Sequence, residues 1–138
     1  MKIRCEIVSQ ERIVFQDDVD IVVLPGISGD MGILPNHSPL LTVLKYGVIH
    51  VRLKNKEQFF TVSGGVAEVQ ADQVTILADA AENVEEIDIK RAEAARKRAE
   101  KRLRDGVIKD GDEYLALKSA LSRSNVRIDA VHRYRSEL

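Results

Sequence analysis

Apolar and polar residues alternate from the start of the chain: Ile3, Cys5 and Ile7 are separated by Arg4 and Glu6. A period of two is the mark of a strand with one face turned inward. The same period returns in VIHVRL (48–53), FFTV (59–62), VAEVQ (66–70) and VTILA (74–78), where Val, Ile and Thr are abundant. Turn-forming residues fall between these runs: Pro25-Gly26, Gly29-Asp30, Pro35-Asn36, Lys54-Asn55-Lys56, Gly64-Gly65 and Ala71-Asp72. Short strands closely spaced by turns predict a small antiparallel β-sandwich or barrel over residues 1–84, large enough for one modest core.

From about residue 85 the period lengthens. Ala92, Ala95, Ala99 and Leu103 recur at helical spacing, with Asp88 placed as the N-cap and Gly106 as the stop. Asp110 with Glu113 three residues on is a variant of the capping box and opens a second helix. Its seam is Tyr114, Leu117, Leu121, Ser124, Ile128 and Val131, a coiled-coil-like spacing interrupted by one serine. Two helices and a short link predict a C-terminal α-helical hairpin over residues 85–138. Its stability is expected to be marginal, because one helix offers the seam little but alanine.

Charge divides the chain at the same place. Residues 1–89 carry seven basic and fourteen acidic residues, net −7, whereas residues 90–138 carry fourteen and eight, net +6. Two segments of opposite sign imply two kinds of partner. Glu93–Lys97 and Glu100–Arg104 are expected i,i+4 pairs that neutralise part of the first helix. Trp is absent and aromatics make up only 4%, so the core must be aliphatic. No run approaches the ~20 apolar residues of a membrane span, and MKIRCEIV lacks the apolar region of a signal peptide, so an intracellular soluble chain is expected. The single Cys5 reads as a small buried hydrophobe.

Candidate chemistry is confined to the basic hairpin. Asp88, Arg91, Ala95, Arg98 and Arg102 follow 3-4-3-4 spacing on the first helix, and Ser119, Arg123 and Arg127 share a face of the second. Arginines from two antiparallel helices suit a phosphate. The alternative is a solvated charged face. Gly26, Gly29 and Gly32 match neither a dinucleotide fingerprint nor a Walker A loop. No Cys/His set has metal-ligand spacing, His37, His50 and His132 are scattered, and Asp17-Asp18 are poorly placed to share a site. A hydrolase is left without a nucleophile–base pair. A nucleic-acid-binding hairpin lacks aromatic stacking residues and leaves the acidic segment unexplained.

SGDMGILPNHSPLL (28–41), VSGGVAEV (62–69), VTILADAAE (74–82) and the terminal hairpin occur in one order, and together they resemble the epsilon subunit of F-type rotary ATP synthases over essentially the whole chain. The resemblance implies an N-terminal sandwich that binds the gamma subunit and the c-ring. It implies a hairpin that folds on the sandwich or extends into the catalytic alpha and beta subunits and inhibits ATP hydrolysis. It implies no catalysis by the chain itself, no nucleic-acid partner, and attachment to a membrane only through the complex. The expected place is the cytoplasmic face of a bacterial plasma membrane, ahead of a plastid thylakoid.

Residue roles follow by position. Asp30 stands at the c-ring contact and His37 at the gamma contact, with Asn36 replacing a common Gly if its backbone is left-handed. Arg98, Lys101 and Arg102 form the inhibitory basic face. Ile87-Asp88-Ile89-Lys90-Arg91-Ala92 matches the Ile/Leu-Asp-x-x-Arg-Ala motif of members that bind ATP as a regulatory ligand, with no obligatory cofactor. Asp88 would accept from adenine or serve only as a helix cap. Arg91 would hold phosphate, Glu82 and Arg123 would add contacts, and Ile87 and Ala92 would supply apolar surface. Ser119 stands where the binders usually carry an arginine, a departure from the pattern.

Overall fold

The computed structural model describes residues 1–106, Ile108 and residues 110–135. The chain forms two compact units, Met1–Val84 and Glu85–Leu138. The first contains β1 (Ile3–Val8), β2 (Ile13–Val19), β3 (Ile21–Gly26), β4 (Gly29–Ile33), β5 (Leu40–Leu53), β6 (Lys56–Val69), β7 (Gln73–Ala78) and β8 (Ala81–Asn83). The strands pair in the order β2-β1-β7-β6-β5-β3-β4, and β8 continues along the same edge of β6 as β7. All pairs are antiparallel except β1 with β7, which is parallel. The sheet folds over: β2, at one end of the order, comes close to β5 and β8, and Phe15 meets Phe60 with ring centroids 5.2 Å apart.

Alternation explains the core. Ile3, Cys5 and Ile7 are all fully buried, and so are Val22, Leu24, Val74 and Ile76. Burial pushes the Cys5 thiol up to about 12, so it stays protonated and inert.

The two long strands depart from simple alternation. Leu44 and Ile49 of β5 are both buried, and so are Val62 and Ala67 of β6, although the members of each pair are an odd number of positions apart. Register between β5 and β6 is unbroken from Leu40↔Val69 to Leu53↔Lys56, so both strands reverse faces together. The reversal on β6 falls at Gly64 and Gly65, with φ 86° and 136°. There β6 leaves β7 and takes up β8, through Asp79 N–H to Gly64 O (3.1 Å) and Ser63 N–H to Ala80 O (2.9 Å). Gly64-Gly65 therefore lies inside a strand and is not a turn between strands. Likewise Pro25-Gly26 closes β3 and Gly29-Asp30 opens β4, while the turn itself is Ile27-Ser28.

The remaining turns fall where composition placed them. Asn36 has φ 67°, the left-handed conformation that lets it stand in for glycine. Lys54 has φ 58°, and its N–H donates to Asp20 Oδ2 at 2.7 Å. That hydrogen bond is the main reason the Asp20 carboxyl sits below its ordinary range.

A side chain at position 65 would put Cβ against the Leu77 carbonyl oxygen and 2.8 Å from Ala78 Cα, whereas at Gly29 (φ 134°) nothing lies within 4 Å. Gly29→Ala is expected to cost the backbone term alone, about 1–2 kcal/mol, and Gly65→Ala that term plus the collision, about 3 kcal/mol or more. Urea unfolding of the two variants measures the difference. Equal losses would show that β7 yields and that only the φ value matters.

Candidate functional site

The second unit is a hairpin of α1 (Ile89–Asp105) and α2 (Gly111–Tyr134), preceded by a single 3-10 turn at Val84–Glu86. Both N-termini are capped as the sequence implies. Asp88 Oδ1 accepts the Arg91 N–H at 3.1 Å, and Asp110 Oδ1 accepts the Glu113 N–H at 2.9 Å. Arg102 and Arg104 end α1, Asp112 and Glu113 open α2, and His132 and Arg133 end it. Each set complements the helix dipole.

The seam is small. α1 buries only Ala92 and Ala99, and α2 buries Ser124, Ile128, Ala130 and Val131. A buried alanine methyl contributes about 0.8 kcal/mol, well below a buried leucine. Ser124, the interruption of the seam, donates to Ala120 O at 3.0 Å, which satisfies its hydroxyl within its own helix. Leu117 and Leu121 are half-buried, and Tyr114 is 45% exposed. The expected seam thus fades before Tyr114, because Glu113 turns inward instead: Arg102 donates to Glu113 Oε1 from Nε (3.0 Å) and Nη2 (2.6 Å). At the opposite end Arg135 Nη2 donates to Ile87 O at 2.6 Å, with Glu85 3.8 Å from its Nε.

Helical geometry sorts the charges. At about 100° per residue, Arg91, Arg98 and Arg102 lie on one flank of the Ala92–Ala99 line, and Glu93, Arg96 and Glu100 on the other. On α2, Arg123 and Arg127 lie to one side of Ser124, Ile128 and Val131, and Asn125, Asp129 and His132 to the other. Arg96, Asn125, Asp129 and His132 line one cleft. The opposite flank is therefore shared by Arg91, Arg98, Arg123 and Arg127. Of the motif residues, Ile87 and Ala92 are buried while Asp88, Arg91 and Arg123 are exposed. Asp88 uses one oxygen for its cap, and a carboxylate has lone pairs for further donors. Glu82 stands on β8 opposite Thr61, in the other unit.

The basic face is less uniform than its sequence suggests. Arg98 and Lys101 are exposed, but Arg102 is engaged with Glu113. Glu100 pairs with Arg96 (3.5 Å) and Arg104 with the adjacent Asp105 (3.2 Å), in place of the expected Glu100–Arg104 pair. The acid at 105 lies closer along the chain than the one a turn away.

On the first unit, Asp30 is exposed on β4 opposite Pro25, beside the turn that carries Ile27, itself 68% exposed. His37 follows the Pro35-Asn36 turn, half-buried, with Nδ1 2.7 Å from Ser38 O. Sequence reasoning missed an exposed aliphatic row on the sheet. Val8, Leu77, Val66 and Val43 are successive partners across β1, β7, β6 and β5, so they point the same way. Val43, Val66 and Leu77 are exposed, as is Leu41 beside them. A hollow of about 370 Å³ next to Gly65 borders this row. Contiguous aliphatic surface of this kind marks an interaction site. The reversal at Gly64-Gly65 hid it, because it changes which residues of β5 and β6 face outward.

Comparison with known proteins gives the same division. Residues 2–84 match the family described as ATP synthase, Delta/Epsilon chain, beta-sandwich domain, and residues 85–132 match its long alpha-helix domain. Similar curated proteins include the ATP synthase epsilon chain of Dehalococcoides mccartyi strain BAV1, 43% identical over 134 residues, covering 97% of this chain and 95% of that one. The ATP synthase epsilon chain of Syntrophobacter fumaroxidans is 47% identical over 127 residues, covering 92% and 93%. Among solved structures, a chain of the Euglena gracilis mitochondrial ATP synthase matches with TM-score 0.80 at 24% identity, over 95% of this chain and 82% of that one. A chain of the Tetrahymena thermophila mitochondrial ATP synthase matches at 0.61 and 19% identity, over 95% and 97%. At those identities the structures speak for the fold alone.

Because the seam is small, each cap carries a large share of the hairpin's stability. Asp110→Ala is expected to remove about 1 kcal/mol, read as faster amide hydrogen exchange in the first turn of α2 with the strands unchanged. Exchange that rises equally in both units would show that the hairpin does not open on its own.

Proposed function

The chain belongs to the ATP synthase delta/epsilon chain family, and from that premise we propose that it works as a non-catalytic rotor component of a proton-translocating F-type ATP synthase, coupling proton flow to ATP synthesis through its sandwich and restraining ATP hydrolysis through its hairpin. The observation that carries this reading is the two-part family match, which assigns residues 2–84 and 85–132 to the family's sandwich and long-helix domains. The aliphatic row of Val43, Val66 and Leu77 is the contact for gamma, since burying it is the main gain open to the sandwich. The turn bearing Ile27, with Asp30 beside it on β4, faces the c-ring. Exposed Arg98 and Lys101 meet acidic residues of the catalytic subunits, a contact that salt weakens. No helix among the described residues is long and apolar enough to cross a membrane, in keeping with attachment through the complex at the cytoplasmic face of a bacterial membrane.

ATP is the regulatory ligand in this reading. The flank that carries Arg91, Arg98, Arg123 and Arg127 supplies guanidinium forks for phosphates, and Asp88 stands one turn from Arg91 to select adenine. A ligand touching both helices binds only the closed hairpin and shifts the population by its differential affinity. At ten times its dissociation constant, ATP favours the closed form by about 1.4 kcal/mol.

Two experiments test these roles. A chain ending at Val84 is expected to bind gamma and support proton-driven synthesis, while the complex hydrolyses ATP faster than with the full chain. Loss of gamma binding by the folded truncation would overturn the assignment of the sandwich. In the second, calorimetric titration of the full chain with ATP is expected to show binding that Arg91→Ala weakens roughly 10- to 100-fold, the worth of a charged hydrogen bond, and that Ser119→Arg tightens. Absence of heat at millimolar ATP would reduce the motif to a helix cap.

A further inference from the structure

We infer that Arg102 and Glu113 form an exchangeable latch: Glu113 holds the Arg102 guanidinium while the hairpin is closed, and gives it up to a partner carboxylate when the hairpin opens. The inference rests on the proposed inhibitory docking of the hairpin on an acidic surface.

The pair joins the last turn of α1 to the first turn of α2, where apolar packing is thinnest. Every buried residue of α2 lies at or beyond Ser124, and the buried residues of α1 are Ala92 and Ala99. Toward the link the remaining apolar residues, Leu103, Ile108, Leu117, Ala120 and Leu121, are no more than half-buried. That half of the hairpin is held by a charged contact, with two donors of Arg102 on one oxygen of Glu113. The contact is within reach of solvent: the side chains are 42% and 25% exposed. A partner carboxylate can therefore compete for the guanidinium, as it cannot for a fully buried pair. Release matters to docking because of what lies beside it. Arg98, Lys101 and Arg104 already leave this end of α1 rich in positive charge. With Glu113 withdrawn, that carboxylate no longer offsets the charge of Arg102 on the surface that meets the acidic partner. One arginine is thus both the lock of the closed form and part of the docking face of the open one.

Exchange makes a prediction about sign. Glu113→Gln and Arg102→Gln break the same pair, and glutamine keeps both the helix propensity and the Asp110 cap. If the pair only stabilises the hairpin, both variants must shift ATP hydrolysis by the assembled complex in the same direction. If Arg102 is exchanged, Glu113→Gln removes the carboxylate that competes for it and lowers hydrolysis, roughly two- to five-fold, while Arg102→Gln raises hydrolysis by a similar factor. The double variant follows Arg102→Gln. Shifts of the same sign overturn the exchange. The isolated chain gives the second reading, with spin labels at Ala94→Cys and Ser122→Cys, both exposed positions. The native Cys5 is buried and remains unlabelled. Glu113→Gln is expected to move the interlabel distances toward longer values, and an unchanged distribution overturns the latch. Truncation at Val84 that leaves hydrolysis unaltered overturns the inhibitory reading itself, and the distance measurement then still decides whether the pair closes the hairpin.

Discussion

A strand shows successive residues to opposite sides, so a strand that serves two layers must lose one step of its alternation where it passes between them. β5 and β6 both do so, in unbroken register with each other. On β6 the step is taken at Gly64 and Gly65, at φ values a side chain would not tolerate. Everything else in the sandwich is arranged around that point. β7 hands over to β8 there, and the hollow beside the aliphatic row opens where Gly65 has no side chain. β3 crosses the same region with a register shift between Val23 and Gly26. The exposed aliphatic row and the core are consequences of one reversal, which turns Ala67 and Val69 inward and leaves Val66 outside.

The two units are held by different physics. The sandwich closes over a continuous apolar core contributed by seven of its strands. The hairpin has alanine at its centre and charged or capping contacts at its ends: Asp88 and Arg135 at one, Asp110 and the Arg102–Glu113 pair at the other. Surface ion pairs and caps are worth about 1 kcal/mol each, so the hairpin lies at the low end of the stability range within the chain.

How much of this was legible depends on how local the cause is. Helix starts at Asp88 and Asp110 and the left-handed Asn36 were readable because cap and turn chemistry acts within a few residues. The period change near residue 85 was readable for the same reason. The strands between Ser9 and Gly47 were not assigned, since Asp17-Asp18 and the glycines at 26, 29 and 32 blur alternation. Gly64-Gly65 was taken for a turn because a pair of glycines looks the same in a turn and in a strand that reverses its faces. The Arg102–Glu113 pair joins residues on different helices, and nothing in the spacing along either one points to it. On the site, sequence carried the arginine flank but gave no sign that Glu113 of α2 pairs with Arg102 of the basic face.

β7 lies between β1 and β6 and, among the described residues, is the only strand whose pairing joins the β1–β2 hairpin to the run of β3 to β6. During synthesis, then, the strand made first waits for one made about 70 residues later, roughly 4–14 s at ordinary elongation rates. Until Gln73–Ala78 emerge, two half-sheets stand with unpaired inner edges, and each edge can template a wrong partner. The sandwich therefore shuts in one late event, the insertion of a wedge, which is slow because its contacts span the length of the unit. The basic hairpin leaves the ribosome only after that wedge is made, so the sandwich can be closed before either helix exists.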